Sequence, residues 1–222
     1  MISECKSMEA TVAKAALETL CRNLSQGLHA AAQPLTILLA GVENPFLDEM
    51  SNAELREFVS SSAIEVERVC AHFSYLQELV SAESIEPELL ATPLLQILAN
   101  AIEGVDLLFR ESGISIRSTV PDACQTVAIN PKRTLAALSS VLLISHAVSH
   151  LGDTVEAVVS VDSPDSVQVV LLNKNAHRAS LNTDEGLSMA LAEANVRSQG
   201  ATMSWSLEPF TVLFAFSKGV KR

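Results

Sequence analysis

The chain has few aromatic and few basic residues, and both shortages exclude whole classes of function. Its 222 residues include 7 Phe, 1 Tyr and 1 Trp, which is too few for a platform of stacking side chains. Lys and Arg number 15 against 26 Asp and Glu, so the formal charge is −11. Surfaces that bind nucleic acid depend on clustered Lys and Arg. We therefore expect no nucleic-acid partner.

Long uncharged apolar runs are also missing, although 48% of the residues are hydrophobic and the mean hydropathy is +0.28. A membrane-spanning helix needs about 20 consecutive apolar residues. The longest candidate, Pro34 to Val42, is less than half as long. The first residues also lack the basic segment that leads into the apolar part of a signal peptide. We expect a cytoplasmic protein with no membrane partner, which uses part of its apolar surface for self-association.

No cysteine or histidine pattern indicates a metal site. The cysteines are far apart in the chain and show no metal-ligand spacing, which predicts reduced, mostly buried thiols: Cys5, Cys21, Cys70 and Cys124. His146 and His150 have a spacing that could hold zinc on one helix face. Because no further ligand pair accompanies them, we expect a structural pair and no metal.

Two long heptad patterns predict an antiparallel helical hairpin, since apolar residues alternate in steps of four and three. The first pattern consists of Leu17, Cys21, Leu24, Leu28, Ala31, Leu35, Leu38 and Val42. The second consists of Leu55, Val59, Ser62, Val66, Val69, Phe73, Leu76 and Val80. Between them lies a link over 43–50 with an Asn-Pro pair and an acidic end, and Ser51 with Glu54 predicts a capping box. One apolar stripe on each of two helices cannot be covered within the hairpin, so we predict a homodimeric four-helix bundle.

Beyond residue 86 the pattern changes to mixed helices and strands. Helices are predicted over about 92–110, 131–149 and 184–199, and strands over 114–119, 126–129, 155–161, 167–172, 202–207 and 211–216. The predicted fold class is therefore α+β. Residues 1–86 form the dimerising helical hairpin, and residues 87–222 form an α/β sandwich, a mixed sheet with helices on one face.

Basic and histidine side chains outside these patterns are given no role. Lys132 and Arg133 lie at a predicted helix start, where positive charge is unfavourable to the helix dipole, so we expect both to be exposed to solvent. His72 is expected at the surface or partly buried. His177 lies in a polar loop.

In the first helix, His29 is followed five residues later by Pro34, which is costly inside a helix. Proline removes a backbone hydrogen bond and crowds the carbonyl four residues back, at a cost of about 3 kcal/mol. That carbonyl belongs to Ala30, in the same turn as His29. The disturbance therefore falls on the histidine.

The segment from Leu28 to Thr36 resembles the phospho-acceptor box of sensor histidine kinases and histidine phosphotransferases, in which a His precedes Gln-Pro-Leu or Asn-Pro-Leu. The order of elements is similar to that of a histidine-kinase catalytic module, a dimerising hairpin followed by a GHKL-type ATPase-like domain. The resemblance implies that His29 accepts a phosphoryl group on Nε2. It also implies that Gln33 shapes the acceptor surface, that Pro34 bends the helix to expose the ring, and that response-regulator receiver domains are the partners.

The nucleotide motifs of that family are only partly present. His146 occupies the place of the magnesium-binding Asn, Asn173-Lys174-Asn175 that of the adenine-reading Asp-x-Gly-x-Gly loop, and Gly186-Leu187-Ser188-Met189 that of the phosphate-binding Gly-Leu-Gly-Leu segment. An imidazole is a poor magnesium ligand, and an amide accepts hydrogen bonds more weakly than a carboxylate. Ser188 adds a side chain where the backbone should approach phosphate. The resemblance thus implies the fold without a bound cofactor.

Ala30 follows His29, where autophosphorylating relatives carry an acidic residue that orients and deprotonates the imidazole. Attack on an aspartyl phosphate depends less on such a base. We therefore interpret the chain as a histidine phosphotransferase that passes a phosphoryl group between receiver domains in a two-component phosphorelay. Two alternatives stay open: a divergent sensor histidine kinase with residual ATP binding, and a non-enzymatic pseudokinase scaffold that binds a response regulator.

Overall fold

The computed structural model describes residues 2–44, 50–121, 126–163, 165–176 and 178–218, with side chains from residue 17 onward except that of Asp162. The chain divides into two compact units, Met1–Val80 and Ser81–Arg222. Most of the predicted link over 43–50, the side chain of Cys5, and Cys124 and His177 lie outside the described residues. None of the helices in the described part of the chain is both long and apolar enough to cross a bilayer.

The first unit is the predicted helical hairpin. It consists of α1 (Ile2–Val42) and all but the end of α2 (Asn52–Ser84). The predicted capping box opens α2: the Ser51 N–H donates to Glu54 Oε2 at 2.7 Å, and the Glu54 N–H donates to Ser51 Oγ at 3.4 Å. The hydrogen bonds from Ser51 also lower the pKa of the Glu54 carboxyl.

The two helices touch through small residues of α1. A Cβ atom added at Gly27 would come within 2.5 Å of Leu76 Cδ2, and one at Gly41 within 2.7 Å of Phe58 Cε2. The fully buried residues along the middle of this face are also small or cyclic: Gly27, Ala30, Ala31 and Pro34. Small residues of α1 therefore allow Leu76 and Phe58 of α2 to pack closely against it in the hairpin.

Large residues of both predicted heptad patterns stay exposed in the single chain. We call them the apolar stripe: Leu17, Leu28, Leu35 and Val42 on α1, and Leu55, Val59, Val66, Phe73 and Val80 on α2. Cys21 and Cys70 are free and exposed, so the prediction of buried thiols was wrong for these two. Both lie on helix faces that turn away from the hairpin contact.

The second unit contains a mixed five-stranded sheet and a two-stranded sheet. The five-stranded sheet has the order β2-β4-β5-β7-β6, with β2 and β4 parallel and all other neighbours antiparallel, and β1 pairs antiparallel with β3. The elements are β1 (Leu90–Pro93), α3 (Leu94–Glu111), β2 (Ser115–Thr119), β3 (Thr126–Ile129), α4 (Pro131–Ala147), β4 (Thr154–Ser163), β5 (Ser166–Asn173), α5 (Thr183–Arg197), β6 (Thr202–Leu207) and β7 (Phe210–Ser217). Strand β1 was not predicted, because four residues ending in proline carry almost no strand pattern.

One face of the five-stranded sheet packs on the three helices of this unit. Burial alternates strictly along β5 and β7, so that every second side chain points into a single core. The largest strand residues of that core are Leu171, Phe210, Phe214 and Phe216, and Leu94, Leu98, Leu138 and Leu142 face them from α3 and α4. The predicted fold class, α+β with helices on one face of a mixed sheet, is confirmed.

Arg133 is partly buried, so the prediction that it is exposed to solvent was wrong. Its guanidinium donates to the carbonyl oxygens of Ser81 at 3.2 Å, Ala82 at 3.3 Å and Ile85 at 3.0 Å, and to Ser198 Oγ at 2.8 Å. Carbonyls at the end of a helix have no partner within the helix and favour a nearby cation. The last turn of α2 supplies these acceptors to the second unit.

Candidate functional site

His29 lies on a face of α1 that neither the hairpin contact nor the apolar stripe occupies. Gly27 and Pro34 mark the face that contacts α2, and Leu28 and Leu35 mark the stripe. At about 100° per residue, these two faces lie roughly 100° apart, and His29 lies about 110° from the stripe and about 150° from the hairpin face. Its side chain is exposed.

On the His29 side of α1, the exposed residues between positions 22 and 36 form what we call the acceptor face: Arg22, Ser25, Gln26, His29, Ala32, Gln33 and Thr36. Glu18 and Ala40 lie on the same side of the helix, beyond the two ends of this face. Gln33 lies one turn beyond His29 on this face, at the spacing that makes helix side chains neighbours. Pro34, in contrast, is buried on the hairpin face. The helix continues through Pro34, and after it the Thr36 hydroxyl donates to the Ala32 carbonyl at 2.9 Å.

Ala30, the residue after His29, is buried in the hairpin contact. It offers no carboxylate to the imidazole. The nearest acidic residues in the sequence are Glu18 in α1 and Glu43 just after it, and Arg22 is the only charged residue between them. The imidazole therefore has no general base within its own stretch of helix.

In the second unit, Asn173 stands at the end of β5 and is fully buried. Its amide nitrogen donates to Ser149 Oγ at 2.6 Å and to Asp153 Oδ2 at 3.1 Å. Its amide oxygen accepts from the backbone N–H groups of Asn175 at 3.0 Å and Ala176 at 3.2 Å. Both donors and both acceptor positions of this side chain are thus used within the protein.

Asp153 is the centre of this polar cluster. Its carboxylate accepts from the His150 backbone N–H at 2.9 Å, from Asn173, and from Asn175 Nδ2 at 3.3 Å. The hydrogen bond from His150 is the main reason why the pKa of the Asp153 carboxyl is lowered. Sequence reasoning missed Asp153 and Ser149. The only available signal was Gly152-Asp153 before a strand, a pair typical of turns whose Asp binds nearby backbone N–H groups.

His146 and His150 do not share a helix face, so the predicted pair is wrong. Helix α4 ends at Ala147, and His150 lies beyond it in the following loop. His146 Nε2 is 2.8 Å from Ser112 Oγ, and its ring packs edge-on against Phe109 at 5.1 Å between centroids. Within the described residues, no group of three or more metal-ligating side chains could hold a metal ion.

Gly186 and Ser188 lie inside the first two turns of α5. That helix begins with a capping box in which the Asn182 side chain and the Glu185 carboxylate each accept a backbone N–H of the other. Arg178 donates to the remaining Glu185 oxygen at 2.7 Å. A Cβ added at Gly186 would meet no atom within 4 Å, so no close approach requires this glycine.

An open cavity of about 300 Å³ lies beside these groups, lined by Ala147, Val148, Ser149, His150 and Arg178. The residues around it do not fit an adenine nucleotide with magnesium. Asn173 has no free group for a base, and His146 is bonded to a serine. At the start of α5 the N–H groups of Asn182 and Glu185 already donate to side chains of the protein, whereas phosphate would need such groups free.

Comparisons with known proteins identify the fold. No protein-family model and no curated protein matches the sequence. Among solved structures, the Acinetobacter baumannii histidine kinase AdeS matches with a TM-score of 0.67 and 13% identity, over 87% of this chain and 98% of that one. The histidine kinase ThkA, solved in complex with the response regulator TrrA, matches with a TM-score of 0.68 and 13% identity, over 96% of this chain and 66% of that one. The chain therefore has the histidine-kinase fold, a helical hairpin followed by a GHKL-type domain.

Proposed function

We propose that this protein is a histidine phosphotransferase in a two-component phosphorelay, with His29 as the phospho-acceptor. It receives a phosphoryl group from one response-regulator receiver domain and passes it to another. The neighbour ThkA was solved in complex with a response regulator, which supports a receiver as the partner. We place the relay in the cytoplasm, where the exposed free thiols of Cys21 and Cys70 stay reduced.

One observation carries the preference for phosphotransfer over autophosphorylation. His29 is exposed on α1, whereas Asn173, at the adenine-reading position, has its whole side chain bonded inside the protein. A chain that offers the acceptor but uses its nucleotide position internally needs an external phosphoryl donor.

Phosphoryl transfer from an aspartyl phosphate requires no catalytic group of this chain besides the imidazole of His29. The lone pair of the neutral His29 Nε2 attacks the phosphorus of an aspartyl phosphate, a P–N bond forms, and the P–O bond to the aspartate breaks. The aspartate leaves as a carboxylate, and the proton stays on Nδ1. Because an acyl phosphate already has a good leaving group, no general base beside the imidazole is required, which agrees with the buried Ala30 at the next position.

Phosphoryl uptake from receiver domains tests the proposal. The wild-type chain, incubated with receivers carrying a labelled aspartyl phosphate, should gain acid-labile label, and His29→Ala should gain none. His150→Ala is the matched control, because His150 is also an exposed histidine but lies in the second unit. Unchanged labelling of His29→Ala would exclude His29 as the acceptor. Receiver binding without any label in the wild type would favour a non-enzymatic scaffold.

A divergent sensor kinase is the second candidate, because the histidine kinases AdeS and ThkA share the fold of this chain. Titration with magnesium-ATP separates the two candidates. Saturable binding in the micromolar to low millimolar range, a free energy of about −4 to −8 kcal/mol, would favour the kinase. The phosphotransferase proposal expects no saturation in that range.

We also propose that the protein works as a homodimer. The apolar stripe runs along α1 and α2 at heptad spacing and is exposed in the single chain. On α1 it lies about 100° from the hairpin contact, close to the right angle between the two adjacent neighbours of a helix in a four-helix bundle. Burial of the stripe between two copies would leave the acceptor face open to solvent.

A further inference from the structure

The distribution of charge along α1 is uneven. The protein carries 26 acidic residues in 222, yet none lies between positions 19 and 42, and Arg22 is the only charged residue there. In contrast, α2 carries six carboxylates within 33 residues: Glu54, Glu57, Glu65, Glu67, Glu78 and Glu83. The acceptor face is therefore free of carboxylates in a strongly acidic chain.

Distance decides which charges act at His29. Arg22 lies seven residues before it, about 10 Å along the helix at 1.5 Å per residue, and on the same face. This is about one Debye length at 0.1 M salt, so the charge of Arg22 is felt at the acceptor. Glu18 and Glu43 lie more than about 16 Å away along the helix and are largely screened.

Arg22 is also available for a partner. Its side chain is exposed, and it forms no ion pair with any residue of the described part of the chain. The other exposed groups of the acceptor face are neutral hydroxyls, amides and a methyl group. Such a face avoids like-charge repulsion with an anionic partner and offers it a single cation.

We propose that Arg22 is the positioning residue that steers the anionic aspartyl phosphate of a receiver domain onto His29, so that the acceptor face with this one cation is the docking surface. The inference rests on the proposed function, in which the donor presents an aspartyl phosphate. A dianionic phosphoryl group would be repelled by a chain of charge −11 unless the contact area were neutral or positive. The acceptor face meets that requirement.

Charge reversal at Arg22 provides the main test. Arg22→Glu should lower the second-order rate constant of phosphoryl uptake about tenfold at 20 mM salt, less at 300 mM salt, and leave the rate at saturating receiver within about twofold, because rim charges act on association. Arg22→Lys should keep most of the wild-type rate. The matched control is Arg56→Glu, the same change at an exposed arginine at the other end of the hairpin.

A carboxylate added to the acceptor face should have the same kind of effect. Ser25→Glu is expected to slow association in a salt-dependent way, whereas Ser60→Glu, at an exposed serine of α2, is not. Equal rates for Arg22→Glu and Arg56→Glu, or a loss confined to the saturating rate, would overturn the inference.

Binding of the same receiver domains, taken from the source organism and phosphorylated with acetyl phosphate, distinguishes the two proposals. If wild-type protein binds receivers with an affinity that depends on Arg22 but gains no label, the relay fails and the docking surface stands. If label is gained without any dependence on Arg22, the relay stands and the docking surface fails. Absence of both binding and label overturns both.

Discussion

At the scale of single residues, Asn173 differs from the adenine-reading position of the resembled motif by one group of its side chain. Asn173 carries an NH₂ group where the resembled motif has a carboxylate oxygen, and that group donates to Asp153 Oδ2 and Ser149 Oγ. A carboxylate oxygen in place of the Asn173 NH₂ group would face Asp153 Oδ2 and Ser149 Oγ without a hydrogen to donate. The amide therefore matches the buried carboxylate beside it.

Asn173→Asp should lower the free energy of unfolding at pH 7 by about 2–3 kcal/mol, because it places two carboxylates in contact and removes two hydrogen bonds. It should not create ATP binding. The double variant with Asp153→Asn should recover more than half of the loss. Urea unfolding measures the first effect and calorimetric titration the second. As a control, Asn100→Asp, on the exposed side of α3, should change stability by less than about 0.5 kcal/mol. Wild-type stability of Asn173→Asp, or saturable ATP binding, would contradict this account.

The lowered pKa of Asp153 predicts how stability depends on pH. A carboxylate whose native pKa lies below its ordinary 3.8 stabilises the fold above that value, and the stabilisation is lost as the pH falls through the native pKa. Asp153→Asn should therefore be less stable than wild type at pH 7 but lose stability less steeply between about pH 5 and pH 3. Asp106→Asn, at a partly exposed carboxylate of α3, is the control and should keep the wild-type slope. If the free energies of unfolding of Asp153→Asn and wild type fall with the same slope between about pH 5 and pH 3, Asp153 is not the group responsible.

At the scale of elements, the end of α2 depends on a residue from another helix. Its last carbonyls receive the forked guanidinium of Arg133 from the start of α4. A helix start is an unfavourable place for a cation. The four hydrogen bonds offset that cost, because three of them go to carbonyl oxygens at and just after the end of α2, where a helix leaves carbonyls without their full set of partners.

Arg133→Ala should lower the free energy of unfolding of the second unit by about 2 kcal/mol, since several carbonyls lose a charged donor. Hydrogen exchange should accelerate at the Ile85 amide, which donates to the Ser81 carbonyl at the same helix end. Arg133→Lys should be intermediate, because an ammonium group cannot form the same fork. Lys132→Ala, at the exposed neighbouring residue, serves as the control and should stay within about 0.5 kcal/mol. If Arg133→Ala and Lys132→Ala have the same free energy of unfolding, Arg133 does not stabilise the end of α2.

At the scale of the whole molecule, α1 has three faces with different side chains and different surroundings. Small residues close the hairpin, large apolar residues form the stripe, and neutral polar residues surround His29. If two copies pair through the stripe, the histidine of each copy stays accessible. Dimerisation and phosphoryl transfer then use separate faces and can be tested separately.

Leu28→Glu combined with Val66→Glu should convert the homodimer to a monomer at micromolar concentration, because it buries charge in the proposed interface. Light scattering after size-exclusion chromatography measures the mass. Ile37→Glu is the matched control: Ile37 is 56% exposed against 57% for Leu28, but it lies two residues from Leu35 and so on another side of the helix. A monomeric wild type, or equal masses for the stripe variant and Ile37→Glu, would exclude this interface.

The local features were predictable because they depend on residues close in sequence. Heptad spacing indicated α1 and α2, Ser51 and Glu54 indicated the start of α2, and alternation indicated β5 and β7. His29 could be singled out because Pro34 follows at a fixed offset in the same helix. The sequence by itself determined which elements form, how the charge is distributed along them and which histidine carries a motif.

Only the tertiary structure decided which side chains meet. Asn173 is hydrogen-bonded to Asp153, which lies 20 residues before it in the sequence. Arg133 is hydrogen-bonded to the end of α2, which lies about 50 residues before it. Such partners depend on strand order and helix packing, which bring distant segments to one place and have no period in the sequence. For the same reason, the heptads could not show that small residues of α1 form the hairpin contact while most of the large heptad residues are left exposed, since both kinds of face repeat at the spacing of one helix.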